Sequence, residues 1–125
     1  MKILVTPDKM KIIQKGYFNA NEYKVEPLIF TYSGFGDLIE DMQRKVIITT
    51  PSGAKYFVNE FQQQEDEEYF TIPKEALEEV GTIEIGMTLE EWYNPIRGEG
   101  ERVLVSRFSP SPVYARVHKG SYKEV

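Results

Sequence analysis

The run Thr82-Ile83-Glu84-Ile85-Gly86-Met87-Thr88-Leu89-Glu90 alternates apolar and polar residues with period 2. Such spacing places Ile83, Ile85, Met87 and Leu89 on one face of a strand and leaves the other face wet. A half-buried sheet must cover its apolar face, most economically with a second sheet. The rest of this half of the chain repeats short hydrophobic runs cut by turn signals, with one small helix-like insert. The architecture is legible there, but no chemistry is written into it.

Downstream, residues 101–108 and 113–117 read as the last strands, split by Ser109-Pro110-Ser111-Pro112. Upstream, residues 69–72 form a strand, and Pro73 opens a short helix over 74–80 that Gly81 closes. Proline inside the first turn and glycine just past the last is the expected asymmetry. Ala76, Leu77 and Val80 would point inward and plug one end of a sandwich. Residues 45–50 and 54–61 form a hairpin around Pro51-Ser52-Gly53, where proline pre-sets φ and glycine accepts a positive one. The acidic run 62–68 reads as a solvated hairpin loop and lacks the spacing of a calcium loop.

Further upstream, Phe35, Leu38, Ile39 and Met42 fall at helical spacing. Asp37 could cap a short helix over 37–43, with Glu40 three residues on; the rival is an irregular loop. Residues 22–32 read as a long strand with a bulge or an edge at Pro27. A strand over 9–14 precedes it, with Met10 and Ile12 on one face.

The chain has 125 residues, no cysteine, 15 basic and 20 acidic side chains, and a net charge of −5. This length fits a single domain over 1–125 that buries very roughly two thirds of its unfolded surface. Absent cysteine removes disulfide scaffolds, thiolate zinc sites and cysteine nucleophiles, and no metal site or other cofactor is expected. Scattered basic residues disfavour nucleic-acid binding, which needs a concentrated basic face. No run approaches the ~20 apolar residues of a membrane span, and Thr6-Pro7-Asp8-Lys9 interrupts Ile3-Leu4-Val5 too soon for a signal peptide. Eight tyrosines and seven phenylalanines mostly suit sheet building.

No catalytic constellation emerges. The one histidine, His118, stands after the last strand beside Lys119 and Gly120. Glu90 and Glu91 are adjacent, so on a strand they point to opposite faces and cannot flank a glycosidic bond. Gly34-Phe35-Gly36 and Gly98-Glu99-Gly100 lack the continuation of a phosphate loop. Trp92 and Tyr93, beside Asn94 and Arg97, could stack on sugars; alternatively they pack over the sandwich edge or form a protein interface. Ile3, Leu4 and Val5, ahead of Pro7, either form an ordinary edge strand or belong to an N-terminal arm (1–8) that docks on a neighbour. The polar tail 118–125 is expected to fray or to be continued by outside contacts.

The stretch from Val46 through Ile85 resembles a known family. It carries Val46-Ile47-Ile48-Thr49-Thr50-Pro51-Ser52-Gly53, then Tyr69-Phe70-Thr71-Ile72-Pro73, Glu75-Ala76-Leu77, Gly81 and Thr82-Ile83-Glu84-Ile85. This order resembles the N-terminal immunoglobulin-like β-sandwich of tailed-phage baseplate upper proteins and related phage fibre-anchoring proteins. The resemblance covers about a third of the chain and implies protein–protein attachment in a virion made in the host cytoplasm, so it carries over no catalytic residue. Such families continue into a long helical or fibrous segment that the sequence to Val125 does not hold. A free-standing virion accessory protein, a head-fibre or neck component, and a fragment all stay open.

The reading is therefore an all-β, immunoglobulin-like antiparallel sandwich of roughly seven to nine strands with one or two short helical inserts. Ile47, Phe57, Ile72, Leu77, Ile83, Ile85, Val103 and Val105 are its expected core. The expected function is non-enzymatic virion structure, with other virion proteins and further copies of the chain as partners. A carbohydrate-binding module using Trp92 and Tyr93 on a host-surface glycan is the alternative.

Overall fold

A computed structural model describes residues 1–20, 25–93 and 102–119. Among them are eleven strands: β1 (Lys2–Val5), β2 (Met10–Gln14), β3 (Phe18–Asn19), β4 (Leu28–Tyr32), β5 (Gln43–Thr49), β6 (Lys55–Val58), β7 (Gln62–Gln64), β8 (Glu67–Phe70), β9 (Gly81–Tyr93), β10 (Val103–Phe108) and β11 (Val113–His118). The fold is an all-β sandwich. One sheet has the order β2-β1-β4-β8-β7; the second has β3-β11-β9-β5-β6, with β10 also paired to β9.

The period-2 run is the spine of the second sheet. Ile83, Ile85, Met87 and Leu89 are all buried, and their neighbours face outward. At thirteen residues β9 outreaches its partners. β5 lies along one edge, pairing from Thr49↔Glu84 to Gln43↔Glu90. β11 and β10 share the opposite edge in succession, at Gly81–Ile85 and Leu89–Tyr93. The Ser109–Pro112 break between them is put to use: Ser111 exchanges backbone hydrogen bonds of 3.0 Å with Asp8 and Met10, stitching the two sheets together.

Several expectations are corrected. The sheets are mixed, because β1 pairs parallel with β4 and β3 parallel with β11. A parallel pair needs a long crossover, which the excursion through β2 and β3 supplies. Ile3 and Val5 are fully buried, since β1 is an interior strand flanked by β2 and β4. They belong to the core rather than to a docking arm, while Leu4 lies half-buried on the outer face between Lys11 and Thr31. A turn closed by Thr6, whose hydroxyl donates to Asp8 at 2.8 Å, sends the chain from β1 into β2.

Both helical inserts are short 3-10 turns, Gly36–Asp41 and Lys74–Leu77. The tighter winding shifts the expected faces. Phe35, Met42, Ala76 and Leu77 are buried, but Leu38 and Val80 are exposed. No side-chain cap bond forms at the first turn, so Asp37 does not cap it.

Ile72, Leu77, Ile83 and Ile85 lie in the core. The alternation on β5 runs the other way from the expected phase: Val46 and Ile48 point inward and Ile47 lies half-buried on the outer face. Its cross-strand partner Phe57 is 59% exposed for the same reason. Val103 and Val105 are exposed because the β9–β10 pair runs on past Glu90, where β5 stops pairing. The acidic run holds strands β7 and β8, joined by a turn in which Glu65 takes a positive φ of 57°. His118 ends β11 with its ring stacked on Tyr17 at 4.9 Å. The tail expected beyond it, 120–125, lies outside the described residues.

Candidate interaction surface

Past Glu90 the sheet narrows. β5 stops pairing there, while β9 and β10 continue together to Tyr93↔Val103. A two-stranded ribbon buries little on its own, and this one carries apolar side chains. Tyr93, Val103 and Val105 are each more than half exposed, and Trp92 is 37% exposed. A bulge between Leu104 and Ser106 leaves Val105 unpaired, which turns the ribbon locally. At its base, Arg107 Nη2 donates to Glu90 Oε2 at 2.7 Å and ties the two strands together.

Trp92 and Tyr93 are successive on β9 and so face opposite sides of the ribbon. The Arg102 guanidinium lies 5.0 Å from the Trp92 ring centroid. This cation–π contact occupies a ring face that a sugar would otherwise stack on. Asn94 and Arg97, expected beside them, lie outside the described residues. Ile3 and Val5 are not brought to this surface, because β1 is in the other sheet.

Below the ribbon runs an open groove of about 650 Å³, lined by Gln43, Lys45, Asn59, Phe61, Trp92 and Arg102 among others. A second groove of about 600 Å³ has Pro27, Val58, Tyr69 and again Phe61 in its lining. Phe61 thus lines both grooves and is seated on Phe70 at 5.0 Å between ring centroids.

The floor of this region holds a charged cluster that the sequence reading missed. Glu68, in the run read as a solvated loop, is 4% exposed. It accepts hydrogen bonds from Arg44 Nε at 2.7 Å and from the Tyr32 hydroxyl at 2.6 Å. The Arg44 guanidinium also lies 5.1 Å from the Tyr32 ring centroid and 5.5 Å from that of Phe61. Burial, and then the Glu68 carboxylate, hold the Tyr32 hydroxyl well above the ordinary tyrosine range. A signal for Glu68 did exist: it shares period 2 with Phe70, so it had to face the core if β8 began before Tyr69.

Among the described residues no group of three or more His, Asp or Glu side chains could hold a metal ion. No protein-family model matches the sequence, and no curated protein matches it. Among solved structures, the chain is similar to the N-terminal domain of phage TP901-1 ORF48, at 14% identity and a TM-score of 0.60. The superposition covers 94% of this chain and 97% of that one. At this identity the likeness is one of fold, and it extends over nearly the whole of both chains.

Proposed function

We propose that this chain is a structural module of a phage tail or baseplate that acts by protein–protein attachment and catalyses no reaction. The observation that carries the reading is the end-to-end likeness of fold to a domain of a phage protein. The ribbon of Tyr93, Val103 and Val105 adds to it, since clustered exposed apolar side chains mark interaction surfaces more often than catalytic ones. Buried against a partner, each of these half-exposed side chains would contribute about 1 kcal/mol, roughly half the full-burial value. Its partners in this reading are other virion proteins, and repetition around a symmetric particle makes further copies of the chain natural neighbours. Its place is the virion.

The glycan-binding alternative rests on Trp92 and is weakened by Arg102 lying over that ring. Mass spectrometry of density-purified particles, produced by the genome that encodes the chain, tests the proposal. The chain is expected as a stoichiometric particle component; its confinement to the lysate supernatant would refute the reading.

A further inference from the structure

Gly86 stands in the middle of β9, yet the fold supplies no reason for a glycine there. Its φ lies outside the left-handed region, and the pairing with β5 runs through Ile47↔Gly86 without a bulge. A methyl group in its place would meet the Ile47 carbonyl oxygen at 3.9 Å and Pro112 Cβ at 4.0 Å, both ordinary contacts. Glycine inside a strand weakens it, and where neither backbone nor packing demands one, it often marks close approach from outside.

The surroundings of Gly86 suit such an approach. On the outer face of the second sheet, Phe57, Ile47 and Gly86 form one cross-strand row, with Pro112 beside the glycine. The row is therefore apolar, and at Gly86 no side chain stands above the backbone. Its rim is basic. Lys45, whose Nζ is 5.7 Å from the Phe57 ring, shares this face with Lys55 and Arg116. None of the three has a carboxylate partner among the described residues, while Glu90 on the same face is neutralised by Arg107. Among the described residues, Glu84 is the one acid amid them without an ion-pair partner. This rim opposes the charge of the whole chain, which is −5. Two copies of the face would set like charges together, which disfavours self-pairing across it.

We propose that this face seats a segment of a partner protein that is acidic and lays an apolar side chain over Gly86, between Phe57 and Pro112. That the partner is a protein rests on the attachment function proposed above; the site itself rests on Gly86 and the basic rim.

Selection of short random displayed peptides against the immobilised full chain tests this without particles, so its failure is separable from absence of the chain in virions. Enriched peptides should place Asp or Glu around a Leu, Ile, Phe or Trp. Their affinity should fall at least about tenfold for Gly86→Val and for Lys45→Glu/Lys55→Glu, and fall with added salt. The double variant changes exposed positions, so it carries the test even if Gly86→Val folds poorly. Lys11→Glu, on the outer face of the other sheet, should bind as the parent does. Enriched peptides without acidic residues, or equal binding by both variants, would overturn the proposal. So would a concentration-dependent dimer that Gly86→Val abolishes, or tight binding of a DNA oligonucleotide that Lys45→Glu/Lys55→Glu abolishes.

Discussion

Arg44 of β5 reaches across the sandwich to Glu68 of β8, Nε to Oε1 at 2.7 Å, with both side chains more than nine-tenths shielded from solvent. Two charges so placed have lost most of their hydration, and mutual attraction plus the Tyr32 hydroxyl bond replaces it. The pair joins the two sheets and fixes Arg44 against Phe61, which lines both grooves. Core stability and the shape of the candidate surface therefore meet at one contact.

Breaking the pair from one side should cost more than removing both partners. Arg44→Met leaves a buried carboxylate and is expected to lower unfolding free energy by about 3–5 kcal/mol, with Arg44→Met/Glu68→Leu recovering much of it. Urea unfolding of the two single variants and the double variant measures this coupling directly.

Tyr32 adds an alkaline dependence. Its hydroxyl keeps its proton in the folded state to higher pH than in the unfolded chain, where the ordinary value is about 10. Above that value the folded state binds more protons, so stability falls as pH rises. The contribution is complete below about pH 10 and lost progressively above it. Tyr32→Phe should flatten this alkaline limb of a melting-temperature profile while lowering stability at neutral pH, since Glu68 loses a donor.

The N-terminal strand should prove indispensable. Ile3 and Val5 are fully buried in an interior strand, so Ile3→Ala is expected to cost about 2–5 kcal/mol. Deleting residues 1–6 should abolish the cooperative thermal transition seen by circular dichroism. A folded, merely unattached deletion variant would restore the docking-arm reading.

Two glycines of the same strand should respond oppositely. Gly81 has a φ of +140°, and a methyl group there would lie 2.9 Å from Pro51 Cγ. Gly81→Ala should therefore destabilise by about 1–3 kcal/mol. Gly86→Ala, free of both constraints, should be neutral or stabilising by up to about 1 kcal/mol. Equal losses in a side-by-side urea titration would mean that the fold, rather than a partner, requires Gly86.

How much the sequence disclosed follows from what period and turn chemistry encode. Strict alternation in 82–90 gave the spine and its buried face, and Pro51-Ser52-Gly53 gave the β5–β6 hairpin. Phase was harder to read. In Val46-Ile47-Ile48 three consecutive branched residues admit either face, and the choice of Ile47 drew its partner Phe57 into the expected core, whereas both lie on the outer face. Val103 and Val105 look like core residues because β-branched alternation cannot reveal that β9 and β10 run on past the end of β5. Glu68 was hidden by its acidic neighbours, since composition averages over a run and burial acts on single residues. Trp92 and Tyr93 stood out as the aromatic end of a strand, but the ribbon around them depends on where β5 stops, which is a tertiary fact.

If the chain attaches to a particle through the β9–β10 ribbon, its copy number per particle depends on that ribbon. Quantitative mass spectrometry should compare particles assembled with the parent chain and with Val103→Lys/Val105→Lys, two exposed changes expected to alter stability by less than about 0.5 kcal/mol. A fixed stoichiometry is expected for the parent and a loss of at least about tenfold for the variant, given equal expression and equal melting temperature. Undiminished incorporation of the variant would contradict the ribbon's role, and absence of the parent chain from particles would contradict the account as a whole.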